Sequence, residues 1–509
     1  MTRSMTLPRM GLAAALAGAI ALAGVVTGHA QTGLPSGKEN TIVLVQNAGN
    51  ANADIAMDVY TPAGEAVPNA SRNRRGVAPG GTAQFQQVFN EDLGEGFRGV
   101  GVLSSDQPID ALLVRDIRVG SHLSYSLANA TGEGGHELAA PQLLNQVTPG
   151  RWWNSRVSLV NVGTQPACVL PTYTLLDQDG VGVGTVTHNG PGGANCPNGF
   201  VVDAGAQLTF SPESGDINFP AQTQGSRMAG YFEVTNPSPN NKIAAVVDLY
   251  RSDGNRLLGG YNALQPDDFG TEVNAPIALN TVSGWYTIIS VMNLEQGTPN
   301  NVQIEYIGRL NDGAGASFTH TVNLGQVTHS GFHSAPLDAS IPTGFVGYAR
   351  VTADSPVAVT VVRAKQGEAS YAAVNGVAVE QATTKWRSPL YFRNFAPGQA
   401  PSLGYNSWVQ IQVADRSTAN VTLRYVGNPD SGCPIGPYTL NTTVTDTQIF
   451  YAFRDASPGN GFPAGNAPHC FQGGLEVEAN KDIIVITQVG ADKFVNSDSE
   501  GVTNAFPAD

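Results

Sequence analysis

The stretch Gly344-Phe-Val-Gly-Tyr-Ala-Arg-Val-Thr-Ala-Asp-Ser-Pro-Val-Ala-Val-Thr-Val-Val362 has a near copy at Gly96-Phe-Arg-Gly-Val-Gly-Val-Leu-Ser-Ser-Asp-Gln-Pro-Ile-Asp-Ala-Leu-Leu-Val114. Each reads as a strand, a tight turn and a second strand, with Asp and Pro at the turn, where local hydrogen bonding and a fixed φ favour them. Weaker versions run from Cys470-Phe-Gln-Gly473 to Asp482-Ile-Ile-Val-Ile486, and from Met228-Ala-Gly230 to Ile243-Ala-Ala-Val-Val247. Gly99, Gly230, Gly347 and Gly473 share one place in the pattern. A glycine inside a strand marks a bulge or a close backbone approach.

Upstream of each block lies a short opening strand: Thr41–Asn47, Ser155–Asn161, Tyr286–Asn293 and Trp408–Asp415. A Gly/Asn/Gln/Thr-rich turn follows, then a strand ending in Tyr60, Tyr173, Tyr306 or Tyr425. In two of these Val302, Ile304 and Tyr306, and Val421, Leu423 and Tyr425, alternate with polar residues. Period two with one apolar face is the mark of a half-buried antiparallel strand. Ala140-Pro141, Ala275-Pro276 and Ser388-Pro389 read as linkers into the next copy. Apart from the N-terminal apolar run, no segment carries a helical period. The expected fold is therefore all-β, four tandem antiparallel β-sandwich (immunoglobulin-like) domains in series. Their expected bounds are 38–137, 138–265, 272–380 and 386–500.

Composition agrees. Of 509 residues, 59 are Gly and 32 are Pro, which disfavours helical bundles, while 41% hydrophobic residues suffice for cores. The formal charge of −14 excludes phosphate-driven nucleic-acid binding. Residues 1–30 read as an export signal. Arg3 and Arg9 precede the apolar run Gly11–Val26, and Gly28-His29-Ala30 offers a small-x-small cleavage site. Cleavage would shift the net charge to −16. The apolar run is short for a membrane span and no later stretch is long enough, so no membrane span is expected after signal removal. The expected location is secreted, extracellular or at the cell surface.

Four cysteines suit that compartment as disulfides. Three pairings are open. Cys168 with Cys196 and Cys433 with Cys470 is favoured because each pair falls within one copy, each contributing about 3–4 kcal/mol in the chain-entropy picture.

The motifs, taken together, resemble tandem repeats in secreted and cell-surface proteins of Chloroflexi-type bacteria. The matching residues are Trp153, Asn161-Val-Gly163, Tyr173, Gly96-Phe-Arg-Gly99, Ser105-Asp-Gln-Pro108 and Tyr261-Asn262. The resemblance covers most of residues 40–495. It implies a surface role and carries over no active site.

Motifs with chemistry are few. Gly94-Glu-Gly96-Phe-Arg-Gly99 fits G-x-G-x-x-G, but a strand pattern follows where a dinucleotide site needs a helix. His136-Glu137 lacks the second His of a zinc helix, since Ala140 stands there. His320, His329 and His333 read as solvated loop histidines. Asp177-Gln-Asp179-Gly180 reads as a hairpin turn rather than a calcium loop. Neither a cofactor nor a metal is expected, and Asn69, Asn129, Asn420 and Asn441 head glycosylation sequons. Trp152, Trp153, Trp285 and Trp408 are the candidate ligand-contacting aromatics. Adjacent strand residues point to opposite faces, so Trp152 or Trp153 should face outward or into a junction. The expectation is a non-enzymatic structural or adhesive protein of the cell surface, self-associating into a filament or layer, or meeting a surface glycan or protein. The alternative is a carbohydrate-binding protein with exposed aromatics.

Overall fold

The computed structural model describes residues 38–87, 90–94, 96–119, 122–147, 153–194, 196–212, 216–251, 258–294, 298–310, 313, 315–324, 330–365, 371–393, 395, 405–433, 435–451, 471–490 and 501–508, with a short strand at Ile20–Gly24. Among these residues the fold is all-β, with only single 3-10 turns between strands. Six sheets, almost wholly antiparallel, fall into four consecutive blocks of sequence: Ile20–Asn129, Glu137–Asn262, Gly270–Ala378 and Thr383–Pro507. Each block is sandwich-like, with an apolar core between two layers. The alternation read from sequence drives this. Val302, Ile304 and Tyr306 are buried in the third core, and Val421, Leu423 and Tyr425 in the fourth, while Gln303 and Asn420 face solvent.

The repeated block is not a hairpin. In the third block Phe345–Lys365 is one 21-residue strand, with Asp354, Ser355 and Pro356 inside it. Its first half pairs with Gly270–Asn280 and Asn300–Arg309, and its second half with Trp285–Asn293 and Tyr371–Asn375. The chain thus crosses from one layer to the other. Phe471–Gly490 does the same in the fourth block. In the first, Gly99–Ser105 and Ile109–Val119 lie in different sheets.

The expected linkers are strands as well. Glu137–Asn145, Gly270–Asn280 and Thr383–Arg393 pair along the crossing strands and carry Pro141, Pro276 and Pro389 within them. A bulge falls at each Pro, next to the pairs Ala140–Gly230, Ala278–Gly347 and Tyr391–Gly473. A residue without a donor is tolerated in a strand at such a bulge. The glycine is needed because a Cβ at Gly347 would stand 2.0 Å from the Ile307 carbonyl oxygen, and one at Gly473 2.1 Å from that of Val426. In the first block Ile20–Gly24, within the stretch read as an export signal, occupies this place, with Gly24 opposite Gly99.

Cys168 and Cys196 are bridged, and Cys433 is also disulfide-bonded. Cys470 lies outside the described residues. Asp177-Gln-Asp179-Gly180 is the hairpin turn expected, with Gly180 at φ +82° and the Asp177 carboxylate accepting from the Asp179 and Val181 N–H groups. The Gly94–Gly99 motif is likewise a turn entering a strand, with Gly96 at φ +85°.

In the second core His188 packs edge-on to Phe200, with ring centroids 5.0 Å apart, and lies beside Tyr173 and Phe210. Burial pushes its imidazole below the ordinary value, so the folded state favours the neutral ring. The unfolded chain binds a proton near pH 6.5 while the folded chain does not. Stability is therefore fully present above about pH 6.5 and declines as pH falls below it, by at most about 1.4 kcal/mol per pH unit. His188→Leu should flatten this slope in urea unfolding followed from about pH 7 to about pH 5. Equal slopes in the two proteins would refute the assignment.

Candidate functional site

Within the opening strands, Ser155–Asn161, Thr287–Asn293 and Asn406–Val413 are buried on both sides. Polar side chains of the latter two face the preceding block. The Ser290 hydroxyl donates to Gln142 Oε1 and Gln410 Nε2 to the Pro276 carbonyl, while Gln412 Nε2 donates to Asn274 Oδ1 at 3.1 Å. In the first block Leu44 and Gln46 are buried in the same way.

These junctions run around a circle. The first and second blocks meet through Arg115 and Asp248, and through Val246, which enters the first core. The second and third share one core, in which Leu249 and Tyr261 join Ile288 and Tyr371. The third and fourth meet at Arg363 and Gln488, 2.9 Å apart. The fourth returns to the first: Arg387 Nε lies 2.7 Å from Asp110 Oδ2, and Leu112, Val114 and Leu127 pack on Leu390, Phe392 and Val489. The blocks therefore close into a ring, not the string expected from tandem sequence. Burying the Asp110 carboxyl raises it from its ordinary value, and Arg387 draws it back down.

At the centre the four inner strands His122–Asn129, Leu258–Asn262, Tyr371–Asn375 and Gly501–Asn504 converge. Each ends in an asparagine at the same place. Asn375 Nδ2 donates to the Asn262 carbonyl at 2.8 Å, Asn262 Nδ2 to that of Asn129 at 2.6 Å, and Asn129 Nδ2 to that of Asn504 at 3.1 Å. Asn129 is thus committed to this ring and is no free glycosylation site. Asn504 Oδ1 is buried without a hydrogen-bond partner among the described residues. Beside the ring lies a cavity of about 400 Å³, whose lining includes all four asparagines, Thr131, Thr503 and Gln265.

The tryptophans belong to junctions and cores. Trp153 is half-buried and packs on Tyr371 of the third block, with ring centroids 4.8 Å apart and the Arg251 guanidinium 5.2 Å away. Arg363 lies 4.3 Å from the Trp285 ring and 6.0 Å from that of Trp408, so one cation joins the third and fourth blocks. Trp408 is buried, and no wide aromatic face is left on it for a sugar. Trp386 is buried too and donates to the Ile483 carbonyl at 2.6 Å. Trp152 lies outside the described residues.

The opposite layer of each block ends in a strand that, among the described residues, is paired on one side only: Arg72–Val77, Gly182–Thr187, Gly315–Leu324 and Tyr438–Thr445. The first carries Arg72, Arg74 and Arg75. The other three hold no Asp, Glu, Lys, Arg or Pro, and expose Val183, Thr185, Thr319, Thr321, Asn441 and Thr443.

Of the expected loop histidines, His329 lies outside the described residues. His320 and His333 sit in strands, and His333 is buried. Their rings stack with centroids 3.7 Å apart. In comparisons with known proteins, the chain matches no family model and no curated sequence.

Proposed function

We propose that this is a secreted, non-enzymatic structural protein of the cell surface, in which four immunoglobulin-like sandwich units close into a ring that joins to further copies through its edges. One observation carries this reading: among the described residues, three edge strands without a single Asp, Glu, Lys, Arg or Pro are paired on one side only. Soluble β proteins ordinarily guard such edges with lysine, proline or a bulge, because bare N–H and C=O groups template pairing with another chain. Here the Thr- and Val-rich faces suit added strands, and the closed ring gives a stiff body from which to extend.

The acidic balance opposes contact between copies at low salt, so assembly should grow as salt screens it. Light scattering is expected to show particle size rising with protein concentration, and more so at about 0.15 M salt than at about 0.01 M. Thr185→Lys combined with Thr443→Lys places charge on two of the three edges and should lower the assembled fraction while leaving the melting temperature within a few degrees. A monodisperse monomer at every concentration, or assembly unaltered in the double variant, would overturn the reading.

The central cavity favours a second reading, a saccharide held by amide and hydroxyl groups. Its size falls within the span of small-molecule sites, roughly 300–1,000 Å³. Glycan-array binding abolished by Asn504→Leu would support it.

A further inference from the structure

His320, His333 and Asp338 converge at one spot between the two layers of the third block. His320 comes from the free edge strand Gly315–Leu324, at an inward-facing position. His333 comes from the strand Ser330–Ser334 of the other layer. Asp338 follows the 3-10 turn Ala335–Leu337. The sequence spacing of 13 and 5 residues does not announce this grouping, because two layers bring the residues together.

The donor atoms all lie within 4.8 Å of one another. His333 Nε2 is 3.0 Å and His320 Nδ1 3.3 Å from the same oxygen, Asp338 Oδ2. In a tetrahedral zinc site with bonds of about 2.0–2.1 Å, neighbouring donors stand roughly 3.3 Å apart. The carboxylate and imidazoles are therefore already near coordinating distance.

The atoms not needed as ligands are held by other groups. Asp338 Oδ1 accepts from the Ser340 N–H at 2.8 Å and its hydroxyl at 2.6 Å. His333 Nδ1 is hydrogen-bonded to the buried Tyr306 hydroxyl. Metal ligands are typically oriented by such outer partners. His320 is about one-third exposed, which leaves an open side for entry and for a fourth, water-derived ligand.

We propose that His320 Nδ1, His333 Nε2 and Asp338 Oδ2 bind one zinc-type divalent transition-metal ion. Two imidazoles and one carboxylate suit zinc and its borderline neighbours, not calcium or magnesium, which take oxygen ligands. The corresponding place in the second block differs: there Tyr173 meets His188, and among the described residues no second histidine or acid joins them in a metal-ligating group. The expected stoichiometry is one ion per chain, and the site stands independently of edge-to-edge assembly.

The test uses the full, untagged chain, stripped with chelator and dialysed against zinc. The expected result is one zinc per chain by elemental analysis, falling below one-tenth in His320→Ala and in Asp338→Asn. Tyr306→Phe should retain the ion with affinity lowered about 10–100-fold. Cobalt serves as a second probe that needs no variant. Intense visible bands of a low-coordinate site support the proposal, and the pale spectrum of the hexaaqua ion overturns it. Less than one-tenth equivalent of zinc on the wild-type chain, or full retention in both variants, also overturns it.

Discussion

Asp248→Asn lowers the free energy of unfolding by about 3–5 kcal/mol, because it strands buried cations. Asp248 is 1% exposed, and it holds Arg156, which is wholly buried, and Arg115, which is 5% exposed. The Arg156 contacts run from Nε and Nη2 to one carboxylate oxygen, at 3.2 and 3.0 Å. Arg115 comes from the neighbouring block and takes the other oxygen. A third guanidinium, Arg98, is pushed down to about 10 by burial and then by Arg156, so positive charge is already crowded here. A neutral amide leaves that charge unopposed at a junction on which two blocks depend. The urea midpoint measures the loss. A triple variant, Arg115→Met with Arg156→Met and Asp248→Leu, should lose less than the single one, since it removes the charges with their partner. A single-variant loss under about 1 kcal/mol would refute the argument.

Gly347→Val should be nearly as damaging, costing more than about 3 kcal/mol, which is beyond ordinary overpacking. The added Cβ would meet the Ile307 carbonyl oxygen, and Gly308 Cα stands 2.7 Å away behind it. Neither can retreat without opening the ladder between the two strands. Gly184→Ala is the matched control: nothing lies within 4 Å of its Cβ, so a change within about 0.5 kcal/mol is expected. Thermal unfolding of the two variants beside the wild type decides the matter. Equal losses would mean that the close approach is not what the glycine serves.

The strands were legible because burial follows a period of two. Val302, Ile304 and Tyr306 had to share a face whatever the topology. The glycine of each crossing strand was legible as a close approach for a similar local reason. Ring closure was not. Gln410 and Gln412 alternate with apolar residues as they would on a wet surface, and nothing local tells a glutamine facing water from one facing the Pro276 carbonyl. A faint signal was available: the polar side of that strand, Trp408-Val-Gln-Ile-Gln-Val413, carries no charge at all. The Pro-containing strands were missed because Pro ordinarily ends a strand, and the compensating bulge is completed by a partner strand some 70–90 positions away. The histidine pair was missed for want of the layer-to-layer view, since loop composition around Ser330-Gly331 masked a strand.

The contact of the last block with the first has a topological corollary. In a closed circle of four, beginning and ending are conventions of the gene and not of the architecture. A rearranged gene that opened at Glu137 and finished after Asn129, with a spacer joining the old termini, would specify the same set of neighbours. Wherever translation starts, the same asparagines meet in the middle.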